Sequence, residues 1–375
     1  MIRFSDRTAF DPTPNALTRA VRGVRADFDL TVSDPTHARL PYDAAAVRSA
    51  LARPQVMTDR PHPLGLPAAR EAVAAALGVE AERVVLTAST SEAYGWLLKI
   101  LCDPGDDVLL PQPGYPLVEH LATFEGVALR PYRLRYEGRW VVDPASLTPG
   151  PRTRAVLTVN PANPTGQYLS RDDLEHLLAL GLPVVSDEVF ARYPLCLDED
   201  RIKTLAHLDR GLAFALGGLS KWAGLPQMKL GWIVVAGDPV QAARALERLE
   251  IVADAFLSVG APVQHAVDAL LAGPTAAAIH ARVQANFEHL VVAAQGATFD
   301  VLPAEGGWYA VLRLPAVQDD EAWTLALLAE ASVRVQPGWL YDFADGPFVV
   351  VSLLTPRDVF GGGVAALRRF VDAVS

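Results

Sequence analysis

Between residues 83 and 235 the chain repeats one pattern: a short, mostly apolar run, then a turn or a stretch of helical periodicity. Runs at 83–87, 108–110, 154–159, 182–186, 211–216 and 230–235 read as strands. Residues 91–101 and 171–180 read as helices, and Asp103-Pro104-Gly105-Asp106 as a turn. Strands that are apolar on both faces and separated by helices predict a mostly parallel sheet covered on both sides. The predicted class is therefore α/β, and such sheets take their ligands beyond the carboxyl ends of the strands.

After about residue 239 the pattern turns helical, at 240–255 and at 274–294, the latter stopped near Gly296. A smaller α+β unit follows, with a strand at 307–314, a helix at 320–331, a strand at 347–354 and a closing amphipathic helix at 363–374. Residues 1–33 look largely irregular, with Pro12 and Pro14 breaking any early element. The expected division is a large α/β domain over 34–274, and a small domain made of 1–33 together with 275–375. The content of 51% hydrophobic and 20% charged residues supports a sizeable core. A net charge of −10 leaves no basic excess for displacing counterions from nucleic acid. Cys102 and Cys196 form neither a metal-type pair nor a disulfide framework, which suits a reducing cytoplasm. The N-terminal stretch has no apolar core of a signal peptide, and no run approaches the ~20 apolar residues of a membrane span. No metal site, membrane or nucleic-acid partner is expected.

Four loops at strand ends carry candidate chemistry. Ser89-Thr90-Ser91 begins a helix, where free backbone N–H groups suit an anion or the hydroxyls serve as an ordinary cap. Asn160-Pro161-Ala162-Asn163-Pro164-Thr165-Gly166 is a rigid turn able to hold an amide against a ligand. Asp187 ends an apolar strand, where a carboxylate is costly unless paired. It either caps, meets an arginine or holds a protonated ring nitrogen. Finally, Ser220-Lys221 and Lys229 lie in one apolar, glycine-punctuated stretch. The chain has only four lysines, Lys99, Lys203, Lys221 and Lys229. A lysine retained amid so many arginines suits an amine that must lose its proton and form a Schiff base, which guanidinium cannot do. A snorkelling charge at a strand end is the alternative.

Taken in order, Thr87 with Glu92-Ala93, Asp103-Pro104-Gly105-Asp106, Pro113-Gly114-Tyr115-Pro116, Asn160 with Asn163-Pro164-Thr165-Gly166, Asp187-Glu188 and Ser220-Lys221 resemble the class I/II aminotransferases. These are fold-type I enzymes using pyridoxal 5′-phosphate (PLP), with a mostly parallel central sheet in a large domain and a small α+β domain. The motifs span roughly residues 60–235, and the C-terminal half matches only in pattern. The resemblance implies a Schiff-base and proton-transfer role for Lys221, and Asp187 as partner of the pyridine nitrogen. It implies Asn163 at the ring's 3′ oxygen and Tyr115 stacked on the ring. Ser89, Thr90, Ser91, Ser220 and Lys229 would serve the cofactor, Lys229 where the family usually has a phosphate-binding arginine. It also implies a homodimer.

Several positions depart from the pattern. Phe190 stands where a tyrosine hydroxyl would reach the 3′ oxygen, and Gly218 where a phosphate-contacting Ser or Thr is common. Asp59 replaces a tyrosine that reaches the neighbouring subunit's phosphate. Val350 replaces the arginine that binds the substrate carboxylate, leaving Arg313 and Arg357 as candidates by sequence alone. The expected function is a PLP-dependent aminotransferase, moving an amino group between a small-molecule amino donor, an amino acid in the first instance, and a keto acceptor through a Lys221 Schiff base. Lyase, decarboxylase or racemase chemistry on the same fold is the alternative.

Overall fold

The computed structural model describes residues 2–11 and 13–374, so the expectation placed on Pro12 lies outside the described residues. After a two-residue strand β1 (Phe28–Asp29), eight strands build one large sheet. They are β2 (Val84–Thr87), β3 (Asp107–Gln112), β4 (Ala128–Tyr136), β5 (Trp140–Val142), β6 (Thr153–Val159), β7 (Val184–Asp187), β8 (Leu212–Gly218) and β9 (Gly231–Gly237). Their spatial order is β2-β9-β8-β7-β6-β3-β4-β5.

The pairs β8–β7, β7–β6, β6–β3 and β3–β4 are parallel, whereas β9 runs antiparallel to both its neighbours. Two antiparallel steps restore direction. Strand β2 therefore points the same way as β8, and six strands, β2, β3, β4, β6, β7 and β8, end on one edge of the sheet. That edge gathers the loops after Thr87, Gln112, Val159, Asp187 and Gly218, together with the start of β9 at Gly231.

Alternation along the strands explains the two covering layers. Val85, Val108, Leu157, Val185, Phe214, Ile233 and Val235 face one core with the helices Thr90–Leu101 and Pro239–Phe256. Val84, Leu86, Trp232 and Val234 face another with the helices Pro67–Leu77 and Ala261–Leu271. Asp187 shares the parity of Val185, so its side chain emerges on the side of the helix Thr90–Leu101.

A second, antiparallel sheet comprises β10 (Asp300–Val301), β11 (Tyr309–Arg313), β13 (Gln336–Pro337) and β14 (Phe348–Ser352), in the order β10-β11-β14-β13, while β12 (Val333–Arg334) pairs with β1. Val349 and Val351 face a core with the helices Thr275–Ala293 and Arg357–Val374.

Three differences from expectation have clear causes. The closing helix begins at Arg357, six positions before the expected start. Its glycine run mimics a break, yet a Cβ on Gly362 would lie 2.3 Å from Phe28 and one on Gly363 2.7 Å from Leu30, so the glycines admit the N-terminal segment. Strand β4 escaped notice because Pro131 and its arginines disguise it near the sheet edge. Residues 1–33 hold a helix, Ala16–Val21, and the strand β1, whose partner lies some 300 residues away in sequence.

A buried ion pair ties the loop after β7 to the segment before β11. Arg201, 6% exposed, holds Glu305 at 2.6 Å through Nη2, and Glu305 also accepts the Tyr168 N–H at 2.8 Å. Removing one partner of such a pair strands a buried charge. Arg201→Ala is expected to destabilise the fold by about 3–5 kcal/mol in urea unfolding.

Candidate active site

Tight loops at the common strand edge enclose a cavity of about 330 Å³. All nine residues singled out from sequence line it: Ser89, Thr90, Ser91, Tyr115, Asn163, Asp187, Ser220, Lys221 and Lys229.

One end is built to receive an anion. Ser89 caps the helix Thr90–Leu101 by accepting the Glu92 N–H at 3.1 Å, and Glu92 reaches back to the Ala88 N–H at 2.6 Å. Those bonds leave the first-turn N–H groups of Thr90 and Ser91 without an acceptor in the protein. They point where the positive end of the helix dipole adds to them. Gly218 and Gly231 pair across β8 and β9 at the same place. A Cβ on Gly218 would lie 3.1 Å from the Gly231 Cα, and one on Gly231 3.0 Å from the Ser89 carbonyl carbon. Close backbone approach therefore explains why glycine stands at 218. Lys229, an exposed residue on this wall, sits at φ 49°, a left-handed conformation that is rare outside glycine.

Deeper in the cavity, Asp187 is 8% exposed. The Tyr94 hydroxyl donates to its Oδ2 at 3.2 Å and the Val189 N–H to its Oδ1 at 3.2 Å. Burial pushes its pKa up to about 6, against the opposing pull of the Val189 N–H, the Tyr94 hydroxyl and the Lys221 charge. The site thus contains a carboxylate that lacks a full counter-charge. Glu188 points to the opposite face, where Ser186, Thr204 and the Leu205 N–H surround it. Burial raises it to about 7.

Lys221 lies in the short helix Leu219–Trp222 directly after β8. Burial lowers its pKa, with the charges of Asp34 and Asp187 resisting. Its Nζ stands 5.3 Å from the centroid of the Trp308 ring. An amine biased toward its neutral form is what nucleophilic and proton-transfer chemistry needs. Near it, the Asn163 Oδ1 is buried with no hydrogen-bond partner in the protein. Tyr115 is half exposed at the cavity mouth, its ring 6.3 Å from that of Tyr341.

Sequence reasoning missed Tyr94, Val189, Trp308, Tyr309 and Ser33. Tyr94 lies one helical turn past the Ser89-Thr90-Ser91 loop, which was an available signal. Ser33 belongs to the N-terminal segment that reads as irregular, and nothing local marks it. Of the departures, Phe190 lines the cavity and packs its ring 5.3 Å from Trp308 and 6.0 Å from Tyr309. Asp59 is exposed and lines a different surface cavity with His62 and Gln264. Val350 is fully buried in an apolar cluster with Val311, Tyr341 and Phe348. Arg313 pairs with Asp300 at 2.6 Å, Arg357 is exposed, and neither lines the cavity. Among the described residues there is no cluster of metal-ligating side chains, and no helix is long and apolar enough to cross a membrane.

Comparison with known proteins agrees with this geometry. The family model for aminotransferase class I and II matches residues 26–346. The chain is 25% identical over 394 aligned residues to the tyrosine aminotransferase of Homo sapiens, covering 98% of this chain and 84% of that enzyme. It is 34% identical over 202 residues to nicotianamine aminotransferase A of Hordeum vulgare, but this match covers 50% of this chain and 42% of that enzyme. The structure of the alanine aminotransferase from Pyrococcus furiosus superposes with a TM-score of 0.85 at 21% identity, covering 99% of this chain and 100% of the other. A fold shared over the full chain and a family match over most of it converge on one assignment: the chain belongs to the class I and II aminotransferases, with the PLP fold type I architecture.

Proposed function

We propose that this aminotransferase works with PLP held by the nine cavity residues, and that Lys221 is its covalent anchor and proton carrier. The fit between site and cofactor rests on complementary chemistry. The free N–H groups of Thr90 and Ser91, with Ser89, Ser220 and Lys229, suit a phosphate. Asp187 suits a protonated pyridine nitrogen, and the buried Asn163 Oδ1, without a hydrogen-bond partner in the protein, supports an amide held for a polar ligand. Tyr115 offers a flat apolar face at the mouth. Bound there, PLP would supply the electron sink that lets a donor lose the proton on the carbon bearing its amine. The Lys221 amine would carry that proton within the cavity. Asp187 would hold the ring nitrogen charged, and Val189 and Tyr115 would keep water from the ring. The single observation that carries this reading is the burial of Lys221 and Asp187 in one cavity whose far end offers unpaired helix amides.

The family match favours amino transfer over lyase, decarboxylase or racemase chemistry. The donor is a small-molecule amine and the acceptor a keto compound. Incubating the purified holoenzyme with a panel of donors should yield stoichiometric pyridoxamine phosphate and a carbonyl product. Release of ammonia or carbon dioxide without pyridoxamine phosphate would sink the proposal. Asn163→Ala is expected to weaken PLP binding about 5–30-fold, the loss of one hydrogen bond to a charged group, while leaving apoenzyme stability unchanged or higher. Fluorescence titration of PLP and thermal melts of the apoenzyme measure the two halves.

Three coarser features complete the proposal. The division into 34–274, and 1–33 with 275–375, is supported by the second sheet and by the core beneath it, most of whose residues come from 275–375. A homodimer is supported by the exposed apolar side chains of Met57, Phe256 and Leu257, and sedimentation velocity tests it. Two unpaired cysteines, Cys102 and the exposed Cys196, suit a cytoplasmic setting.

A further inference from the structure

The charges on the cavity wall are few, and the proposed cofactor uses all of them. Among the described lining residues only Asp187, Lys221 and Lys229 are charged. On the reading above, Asp187 faces the ring nitrogen, Lys221 is the covalent anchor and Lys229 faces the phosphate. Among the described lining residues nothing cationic remains for a second anion.

Every other described lining residue is neutral, including Tyr115 and Val189, which cofactor ring and substrate would share. Ser33, Tyr115 and Tyr309 line the substrate's wall with hydroxyls, and Val159, Val189 and Phe190 with apolar surface. The Tyr309 phenol is driven up to about 12 by burial, although the Ser33 hydroxyl resists, so it stays a neutral donor across the physiological range. Behind this wall, Val350 pairs in register with Val311 and with Gln336. The side-chain oxygen of Gln336 is already taken by the Tyr341 hydroxyl, and Val350 has no access to solvent. Of the described residues of the second sheet, Tyr309 alone lines the cavity, and it presents a neutral phenol. A carboxylate placed against such a surface loses its hydration and finds no opposite charge, whereas a hydroxyl or amide finds donors and acceptors of its own kind.

We infer that the substrate end of this cavity, walled by Ser33, Tyr115 and Tyr309, selects primary amines whose neighbouring substituent is uncharged, such as an alcohol or a carboxamide, over α-amino carboxylates. The inference rests on the proposed function, since it assigns the three charges to the cofactor. In the overall reaction the C–N bond of the donor breaks and a C–N bond to the acceptor's carbonyl carbon forms. The acceptor's carbonyl oxygen is balanced by the new carbonyl on the donor carbon through water, so no outside oxidant or reductant is needed. The donor product is then a hydroxy- or amido-substituted carbonyl compound in place of a 2-keto acid.

Matched donors that differ only at this substituent test the inference: L-phenylalanine, L-phenylalaninol and L-phenylalaninamide, in single-turnover reactions of the holoenzyme. The expected result is a kcat/KM for the alcohol and the amide at least tenfold above that for the acid. Equal or better use of the acid overturns the inference, including the case in which a partner subunit supplies a cation. A second measurement does not depend on turnover. Calorimetric titration of the holoenzyme with 3-phenylpropan-1-ol and 3-phenylpropanoate, which carry no amine, should show the alcohol binding at least tenfold tighter. If no amine reacts but this binding order holds, the aminotransfer reading fails and the neutral wall stands. If amines react and the carboxylate binds as tightly, the neutral wall fails alone. Tyr309→Phe is expected to lower the alcohol-to-carboxylate ratio severalfold. An unmoved ratio would remove Tyr309 from the selecting surface.

Discussion

Lys221→Arg abolishes turnover while leaving the fold intact: kcat is expected to fall by about 10³-fold or more, the scale lost when a positioned acid–base group is removed. Arginine keeps the positive charge, most of the length and the stacking on Trp308, whose ring lies 5.3 Å from the lysine nitrogen. It cannot lose its proton in a protein, so it can neither form a covalent link to PLP nor accept a proton. A snorkelling charge would tolerate the exchange. Lys221→Ala separates the two tasks further, because added methylamine should restore part of the lost proton transfer. Kinetics of the three proteins, with circular dichroism to check folding, decide between the readings. Wild-type-like turnover of Lys221→Arg would return Lys221 to the role of an ordinary surface-anchoring charge.

Asp187→Asn is expected to cut activity by roughly 10²-fold or more, yet to stabilise the cofactor-free protein at alkaline pH. The sign follows from burial. Asp187 has its pKa raised from 3.8 to about 6 in the folded chain, so folding favours the protonated form. Its contribution to stability is present at low pH and is lost as pH rises through about 6. At pH 8 the folded apoenzyme holds a buried carboxylate with only partial compensation. An amide at the same place avoids a cost of about 1–3 kcal/mol. The stability gain should shrink as pH drops toward 5, where wild-type Asp187 is itself largely protonated. Glu188, raised to about 7 by its own burial, adds a parallel pH dependence that the variant retains. In the holoenzyme a protonated ring nitrogen offsets the Asp187 charge, so the order of stabilities should reverse when PLP is added. Thermal melts of both proteins, with and without PLP between pH 5 and 8, measure all of this. A variant less stable than wild type as the apoenzyme at pH 8 would contradict the assignment of Asp187 as an uncompensated carboxylate.

Six of the eight strands of the large sheet were legible because they are largely apolar on both faces, whereas β4 and β5 at its edge were not. Strand β7 illustrates this, its Val-Val-Ser-Asp run being buried throughout. The site was legible for a related reason: its residues follow strand ends, and β2, β3, β6, β7 and β8 all end on one edge. What sequence reading could not supply was contact across long separations. Ser33 and Asp34 approach Lys221 from a segment with no periodicity, and β1 gains its structure only from Ser332–Arg334. Trp308 and Tyr309 read as two core aromatics of a strand, yet one faces Lys221 and the other the cavity. Gly362 and Gly363 read as a helix boundary because their reason, close packing on Phe28 and Leu30, lies at the other end of the chain. Gly218 reads as a lost phosphate ligand, whereas the strand β9 backbone leaves little room there for any side chain.

The central claim is that one amine of this chain, Lys221, carries the cofactor. Borohydride reduction of the PLP-loaded protein, followed by peptide mapping by mass spectrometry, reads this directly. The account predicts a single pyridoxyl group per chain, on Lys221, with Lys229 unmodified. Modification at Lys229, or an active enzyme with no modification at Lys221, would contradict it.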